Sequence, residues 1–320
     1  MGSAKPVVCI VTPGTRDANN GNWRTASRWA KMLGDRYRVI VQTAWDAKSA
    51  DAMIALHARR SAPSIRAFRA QASEGGLAVV LTGTDLYEDL PESAEAAGSL
   101  DLADRIVVLQ EDAPRVLDSR WRGKTEVIFQ SASSLPRRAK PRDQLNCVMV
   151  GHLRAEKDPL TLFRAVAMLP ASLPIHIRHI GAALDPRLGE AARALERRDP
   201  RYRYVGALPR GLTRAAIAAA HVLVHPSIVE GGANVIVEAV TGGTAVIASR
   251  ISGNIGMLGV DYPGYFEPGD ESGLAGCLVQ AVEDAKYRRA LATAAAARKS
   301  LFAPRVEARA VHRLAELLTR

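Results

Sequence analysis

A chain of 320 residues that is 48% hydrophobic and 24% charged has the composition of an ordinary soluble protein, and at roughly 150 residues per domain it has room for two cores. It contains no uncharged apolar run of the roughly 18 residues that a membrane-spanning helix requires, and its first apolar run, Val7–Val11, is too short for a signal-peptide core. Lys and Arg outnumber Asp and Glu by 43 to 33, a net charge of +10 that attracts anions without choosing between nucleic acid, anionic lipid and phosphorylated small molecules.

In chain order, Val7–Thr12 reads as a strand, then a Gly/Asn-rich loop and a helix near Trp23–Leu33. Strands follow at Tyr37–Gln42 and Ala52–Leu56, a helix at Pro63–Ala72, and strands at Leu77–Leu81, Arg105–Leu109 and Glu126–Ile128. Between Ser131 and Leu145 the apolar pattern stops in a run of prolines and basic residues, Pro136-Arg137-Arg138-Ala139-Lys140-Pro141-Arg142, which marks a linker at 136–145. A second β/α series has strands at Asn146–Val150, Ile175–Ile180, Tyr202–Val205, Val222–Val224 and Ala245–Ala248. An Ala-rich helix is expected over Glu283–Ser300 and a last one over Arg305–Leu318. This alternation predicts an α/β protein of two Rossmann-like, doubly wound parallel-sheet domains, 1–135 and 146–303, facing each other across a ligand cleft.

Cys9, Cys147 and Cys277 lie far apart in apolar stretches with no CxxC pair, so no disulfide framework or metal site is expected, and a reducing cytoplasm is the expected location.

The strongest chemical signal is Glu230-Gly231-Gly232-Ala233-Asn234-Val235-Ile236-Val237-Glu238, directly after the strand at Val222–Val224. Two glycines before helix formers leave backbone N–H groups at a helix N-terminus, a natural seat for phosphate oxygens. On one helix the two acids would stand roughly 12 Å apart and on different faces. Glu230 is therefore placed in the loop and Glu238 within the helix, where the pair can hold two ends of an elongated ligand. The second signal is Gly151-His152-Leu153-Arg154-Ala155-Glu156-Lys157 after the strand at Asn146–Val150. Gly151 permits close backbone approach, and Arg154 and Lys157 place two cations where a leaving diphosphate could be neutralised without a metal.

Together these segments, with Pro226-Ser227 ahead of the acid pair, resemble the retaining nucleotide-sugar glycosyltransferases of the two-Rossmann (GT-B) type in glycosyltransferase family 4 (group 1). The resemblance implies that Arg154 and Lys157 grip the donor diphosphate and that Glu230 and the amides of Gly231, Gly232, Ala233 and Asn234 hold sugar and phosphate. It further implies that Glu238 binds the ribose hydroxyls, and that the C-terminal helix, within 304–320, packs back on the first domain.

The first domain departs from the family's usual Gly-Gly loop, having Asn19-Asn20-Gly21-Asn22-Trp23-Arg24-Thr25 instead. Gly21 still permits close approach, and Asn20, Asn22 and Arg24 suit a small oxyanion. The other strand-end loops are polar too: His57-Ala58-Arg59-Arg60-Ser61 and Thr82-Gly83-Thr84-Asp85. In open α/β sheets such loops line the ligand crevice, and His57, Arg59 and Arg60 would make a compact anion pocket beside Thr84 and Asp85. These loops, with Thr12-Pro13-Gly14-Thr15, look like the small subgroup of the family that contains the bacterial selenosugar synthases of selenoneine biosynthesis. What that implies is transfer from a UDP-sugar, UDP-N-acetylglucosamine or UDP-glucose, to selenophosphate, with His57 positioning the acceptor and no cofactor.

Other classes find less support. No P-loop, strand-end DxD, GxSxG or GxGxxG element is present. A peripheral-membrane transferase with a phosphorylated lipid acceptor would use the basic helix carrying Ile65 and Phe68. A nucleic-acid binder has the charge but no recognition motif, and a nucleotide-sugar epimerase shares the architecture. The expectation is neither nucleic acid nor stable membrane association.

Overall fold

The computed structural model describes residues 4–15, 21–72, 74–136 and 139–320. They form two compact units, one running to Gln130 and taking in Pro304–Arg320, the other Ser131–Ala303.

The first unit contains β1 (Val7–Val11), α1 (Gly21–Leu33), β2 (Arg38–Gln42), β3 (Ala52–Leu56), α2 (Ala62–Gln71), β4 (Gly76–Val80), a π-helical turn at Asp85–Asp89, α3 (Ala94–Leu102), β5 (Arg105–Val108), the short helices α4 (Ala113–Val116) and α5 (Ser119–Arg122), and β6 (Thr125–Val127). Its sheet has the order β2-β1-β3-β4-β5-β6, every pairing parallel. The unbroken apolar runs of β3 and β4 follow from this, because helices cover both faces of a parallel sheet. Alternate residues go to opposite faces: Cys9, Val11, Met53 and Val79 pack with Ile65 and Phe68 of α2 and Leu100 of α3. Val8, Ile10, Ile54 and Val80 pack with Trp29 and Leu33 of α1.

The second unit contains β7 (Leu145–Val150), a 3-10 turn at Ala155–Lys157, α6 (Pro159–Met168), β8 (Ile175–Ile180), α7 (Pro186–Arg198), β9 (Tyr202–Gly206), α8 (Arg210–Ala219), β10 (Val222–His225), α9 (Asn234–Gly242), β11 (Ala245–Ser249), α10 (Ser252–Leu258), β12 (Tyr265–Phe266), α11 (Glu271–Glu283) and α12 (Ala285–Ala297). Its parallel sheet runs β12-β11-β10-β7-β8-β9. The expected α/β architecture of two doubly wound parallel sheets is present, and most predicted strands match within a residue or two.

One helix differs. The stretch expected as a single helix over Glu283–Ser300 is divided, with Glu283 ending α11 and Asp284 extended at φ −109, ψ 104. The Asp284 carboxylate accepts the Lys286 N–H at 2.6 Å and starts α12 as its N-cap, a local bond that competes with helix continuation. The far end tightens into a 3-10 turn at Lys299–Phe302.

The chain then returns to the first unit as α13 (Pro304–Leu318). Val311, Leu314, Ala315 and Leu318 join the core beside Trp29 and Leu33. Gly76 lets the end of α13 approach the start of β4, since a Cβ there would collide with the Leu318 backbone. Buried Glu307 accepts from Arg28 Nε at 2.8 Å and from Trp29 Nε1 at 2.8 Å, so its charge is paired and hydrogen-bonded as burial demands.

Candidate functional site

In the second unit the strand order changes direction between β7 and β10: β8 and β9 lie on one side, β11 and β12 on the other. Ligands of open α/β sheets bind outside the carboxyl ends of strands at such a switch point. The two sequence signals leave the sheet there, Gly151–Lys157 after β7 and Pro226–Ala233 after β10, and the Ile228 N–H donates to the Glu156 carbonyl at 3.0 Å. Gly181, on the loop after β8, packs against the Gly151 carbonyl, and Gly253 of α10 against the Glu230 backbone; a Cβ at either position would clash.

These contacts bring Lys157 onto Glu230, whose Oε1 accepts from Lys157 Nζ and lies 3.1 Å from His225 Nε2 at the end of β10. Burial pushes the Glu230 carboxyl up, but the Lys157 ammonium and the His225 imidazole together hold it well below the usual carboxylate range. It is an anion at every physiological pH. Arg154 is half-exposed and 3.8 Å from Glu156, so its guanidinium faces largely outward beside this pair. Glu230 lies in the loop and Glu238 inside α9. The N-cap of α9 is Ala233, at φ −77 and ψ 102, with no side-chain cap bond and no acid in the first turn. Gly231, Gly232 and Asn234 flank this positive end, which is thus open to an anion. Gly231 and Ala233 are buried, so an anion meets α9 at its first turn rather than along the whole loop.

Glu238 is only 6% exposed, and its Oε1 lies 3.6 Å from Arg210 and 3.7 Å from Arg214 of α8. Beneath the β7 loop, fully buried His179 holds the Gly151 carbonyl at 3.2 Å through Nε2, while Nδ1 is 2.8 Å from Tyr202 Oη. The carbonyl can only accept, so Nε2 carries the proton and Nδ1 takes the tyrosine hydroxyl.

In the first unit β1, β3 and β4 are adjacent, so their carboxyl-end loops are neighbours. Gly21, Asn22 and Arg24 occupy the first turn of α1; Asn20 lies outside the described residues. His57 has a left-handed backbone, φ 72, a conformation that few non-glycine residues adopt. Its Nδ1 receives the Arg60 N–H at 3.4 Å, leaving the proton on Nε2, which faces Thr84 Oγ1 at 3.3 Å and Asp89 Oδ2 at 3.8 Å. Burial pushes the imidazole below its ordinary value, against Asp85 and Asp89 and with the help of Arg60 and Arg59. His57 is therefore a neutral donor at its Nε2 edge.

Two expectations for these loops need correction. Asp85 is fully buried and engaged on both oxygens: Oδ1 accepts from Thr82 N at 2.8 Å and Gly83 N at 2.9 Å, and Oδ2 from Ala58 N at 3.0 Å. It clasps the β3 and β4 loops together instead of offering itself to a ligand. Nor do His57, Arg59 and Arg60 enclose an anion pocket. Arg59 pairs with Asp89 at 3.3 Å, the Arg60 side chain is exposed, and the adjoining cavity of about 450 Å³ is lined by Glu88, Asp89, Glu92 and Glu95 beside Arg59. The π-helical turn, closed by Leu90 N–H to the Asp85 carbonyl at 3.0 Å, sets these acids there.

Sequence reasoning missed His225, Asp89, Arg210 and Arg214. A histidine ending the apolar strand Val222–Val224 was a usable signal for the first. Asp89 is presented by a π turn, which no 3.6-residue pattern discloses. Among the described residues its Oδ2 has no hydrogen-bond partner.

Solved structures share this architecture. HepE of Anabaena, crystallised with UDP, superposes with a TM-score of 0.75 at 16% identity over 98% of this chain and 100% of that one. A sucrose-phosphate synthase from Thermosynechococcus elongatus gives 0.71 at 17% identity, over 98% and 99%. The pneumococcal O-GlcNAc transferase GtfA, in complex with UDP and GlcNAc, gives 0.68 at 16%, over 83% of this chain and 57% of that one. At such identities the likeness establishes the fold, which is GT-B. Residues 133–298, more than half of the chain and carrying both β7 and β10 loops, match the family described as glycosyl transferases group 1, and it is to that family that this chain belongs.

Proposed function

We propose that the chain is a UDP-sugar-dependent glycosyltransferase whose second unit binds the donor. The observation that carries this is the meeting of Lys157 and Glu230 at the β7/β10 switch point, beside the uncapped N-terminus of α9. A nucleotide sugar needs a cationic and amide seat for its diphosphate and a fixed acceptor for its hydroxyls. Arg154, the remaining N–H donors of Lys157 and the first turn of α9 supply the one, Glu230 the other, and Glu238 takes the ribose. UDP, UDP-glucose and UDP with glucose are bound by structures of HepE, a protein of the same fold.

The acceptor is selenophosphate and the product a selenosugar. This finer reading rests on the resemblance of the first-unit loops, and on the donors there: Asn22 and Arg24 at the start of α1, His57 Nε2–H and Thr84. Selenium attacks the anomeric carbon as the UDP oxygen leaves with its bonding pair, giving a sugar that still carries the phosphoryl group on selenium; water then takes that phosphoryl group, breaking the P–Se bond and releasing phosphate and the selenosugar. An anionic, soft nucleophile needs no strong general base, which suits a His57 held neutral with its proton on Nε2. Acceptance of a lipid is disfavoured by α2, whose Ile65 and Phe68 are fully buried core residues.

The test is to incubate purified protein with UDP-N-acetylglucosamine or UDP-glucose and selenophosphate and to identify products by mass spectrometry. A selenium-bearing hexose together with UDP is expected, undiminished by EDTA. Arg24→Ala and His57→Ala should lower selenosugar formation while leaving UDP affinity within about twofold, and Arg154→Ala or Lys157→Ala should cost on the order of 10²-fold in turnover. Glycosylation of lipids with no use of selenophosphate would overturn the acceptor and leave the donor standing.

A further inference from the structure

Strand β8 turns Ile175, Ile177 and His179 toward one buried face, and of the three only His179 is polar. Its pairing with β9 shifts register between His179 and Ile180, an irregularity of the kind that re-aims side chains. His179 is wholly buried against Phe163 and Tyr202, where an aliphatic residue would pack without the cost of burying polar atoms. Both ring nitrogens are engaged: Nε2 donates to the Gly151 carbonyl at 3.2 Å, and Nδ1 accepts the Tyr202 hydroxyl at 2.8 Å. Gly181 closes on the same carbonyl, since a Cβ there would collide with its oxygen.

Gly151 is also where the Lys157 stem rests. A Cβ on Gly151 would lie 3.4 Å from Lys157 Cγ, so the aliphatic chain runs over the glycine on its way to Glu230. A lysine stem is flexible and takes its course from the surface beneath it. The peptide unit is planar, so a hydrogen bond that holds the Gly151 carbonyl also holds the plane of the Gly151–His152 unit. We propose that His179 is a positioning residue for glycosyl transfer, fixing the Gly151 peptide so that the Lys157 ammonium stands where the donor diphosphate leaves. The inference rests on the reading of Lys157 as a donor-site residue. His179 acts only through Gly151, and Tyr202 keeps its proton on Nε2, the nitrogen that faces the carbonyl.

The experiment follows UDP release from UDP-N-acetylglucosamine or UDP-glucose with water as acceptor, which requires no knowledge of the natural acceptor, alongside thermal melts. His179→Leu packs without a donor. His179→Gln supplies an amide N–H for the Gly151 carbonyl and an oxygen for the tyrosine hydroxyl. His179→Leu combined with Tyr202→Phe is an apolar pair that leaves no stranded hydroxyl. Misplacement of a reacting group by about 1 Å costs on the order of 10²-fold. A fall of that size in kcat is expected for His179→Leu, with recovery of at least tenfold in His179→Gln. KM for the UDP-sugar should stay within about threefold, because the charge that Lys157 meets grows only as the diphosphate leaves. The apolar pair should regain Tm over His179→Leu while its kcat stays low, which a purely structural role for the histidine would not produce. Should the leucine variant alone fail to fold, the apolar pair against His179→Gln decides. Full kcat in a folded leucine variant overturns the proposal, as does a kcat that rises with Tm in the apolar pair, or failure of both to fold. If Lys157→Ala slows UDP release and folded His179→Leu does not, His179 alone is wrongly assigned; if Lys157→Ala leaves the rate unchanged, the donor reading of Lys157 falls with it.

Discussion

Glu238 stands between two arginines, yet its carboxylate is nearly buried, and this combination fixes what a substitution should do. Arg210 and Arg214 pair with it, and a ribose placed against it would donate to a charged acceptor, an interaction of about 1.5–3 kcal/mol per bond. Glu238→Ala is therefore expected to weaken UDP binding about 10- to 100-fold in a calorimetric titration. Unchanged affinity in a folded variant would remove Glu238 from the donor site. His179 supplies a second residue-scale prediction. Burial lowers its imidazole to about 4, with the Gly151 carbonyl pulling the other way. In the unfolded chain it protonates near 6.5, so the unfolded state binds more protons below that value. The resulting stability is complete above about pH 6.5 and is lost as pH falls toward 4, by on the order of 3 kcal/mol in all. Denaturant titrations at pH 7 and pH 5 should show a shallower acid loss for His179→Gln than for wild type, and parallel slopes would refute the assignment.

At the scale of elements, the loops after β3 and β4 behave as one piece because Asp85 bonds the amides of both. Asp85→Ala would strand three N–H groups, two of them in buried bonds, at about 1–3 kcal/mol each. A fall in stability of about 3 kcal/mol or more is expected, with transfer activity lost and UDP affinity kept, as read by melts and calorimetry on one preparation. Loss of UDP affinity in step with activity would show that the clasp serves more than the first unit. This is also where the sequence was least legible. Thr82-Gly83-Thr84-Asp85 was recognisable as a strand-end loop, and polar residues there suggest a ligand. That the carboxylate is consumed internally, and that a π turn carries Asp89 to the cavity wall, depends on a backbone ladder shifted by one residue. The Gly151–Lys157 and Glu230–Glu238 segments, in contrast, were readable because each lies within one loop and one helix start.

At the scale of the whole molecule, the last helix belongs to the first unit. Val311, Leu314, Ala315 and Leu318 are buried in its core, and burial of each large aliphatic side chain is worth about 1.5–3 kcal/mol. Removing α13 would also leave Arg28 and Trp29 without Glu307. A chain ending at Ala303 is expected to lose amide-exchange protection in β1, β3 and β4 while β7, β10 and β11 retain theirs. Equal protection of β1 and β3 in the shortened and full chains would contradict that dependence.

The amino-acid sequence by itself determined the alternation of strand and helix, the parallel sense of both sheets and the glycosyltransferase motifs, because each is written in short-range spacing: continuous apolar runs, helix-start glycines, acids eight residues apart. Only the tertiary structure decided which strands are neighbours, and with that the pairing of Lys157 with Glu230 across 73 residues, the approach of His225 to the same oxygen, and the internal use of Asp85. Those contacts arise where β10 docks beside β7 and β4 beside β3, and hydropathy periodicity reports which face of a strand is buried but not which strand lies next to it.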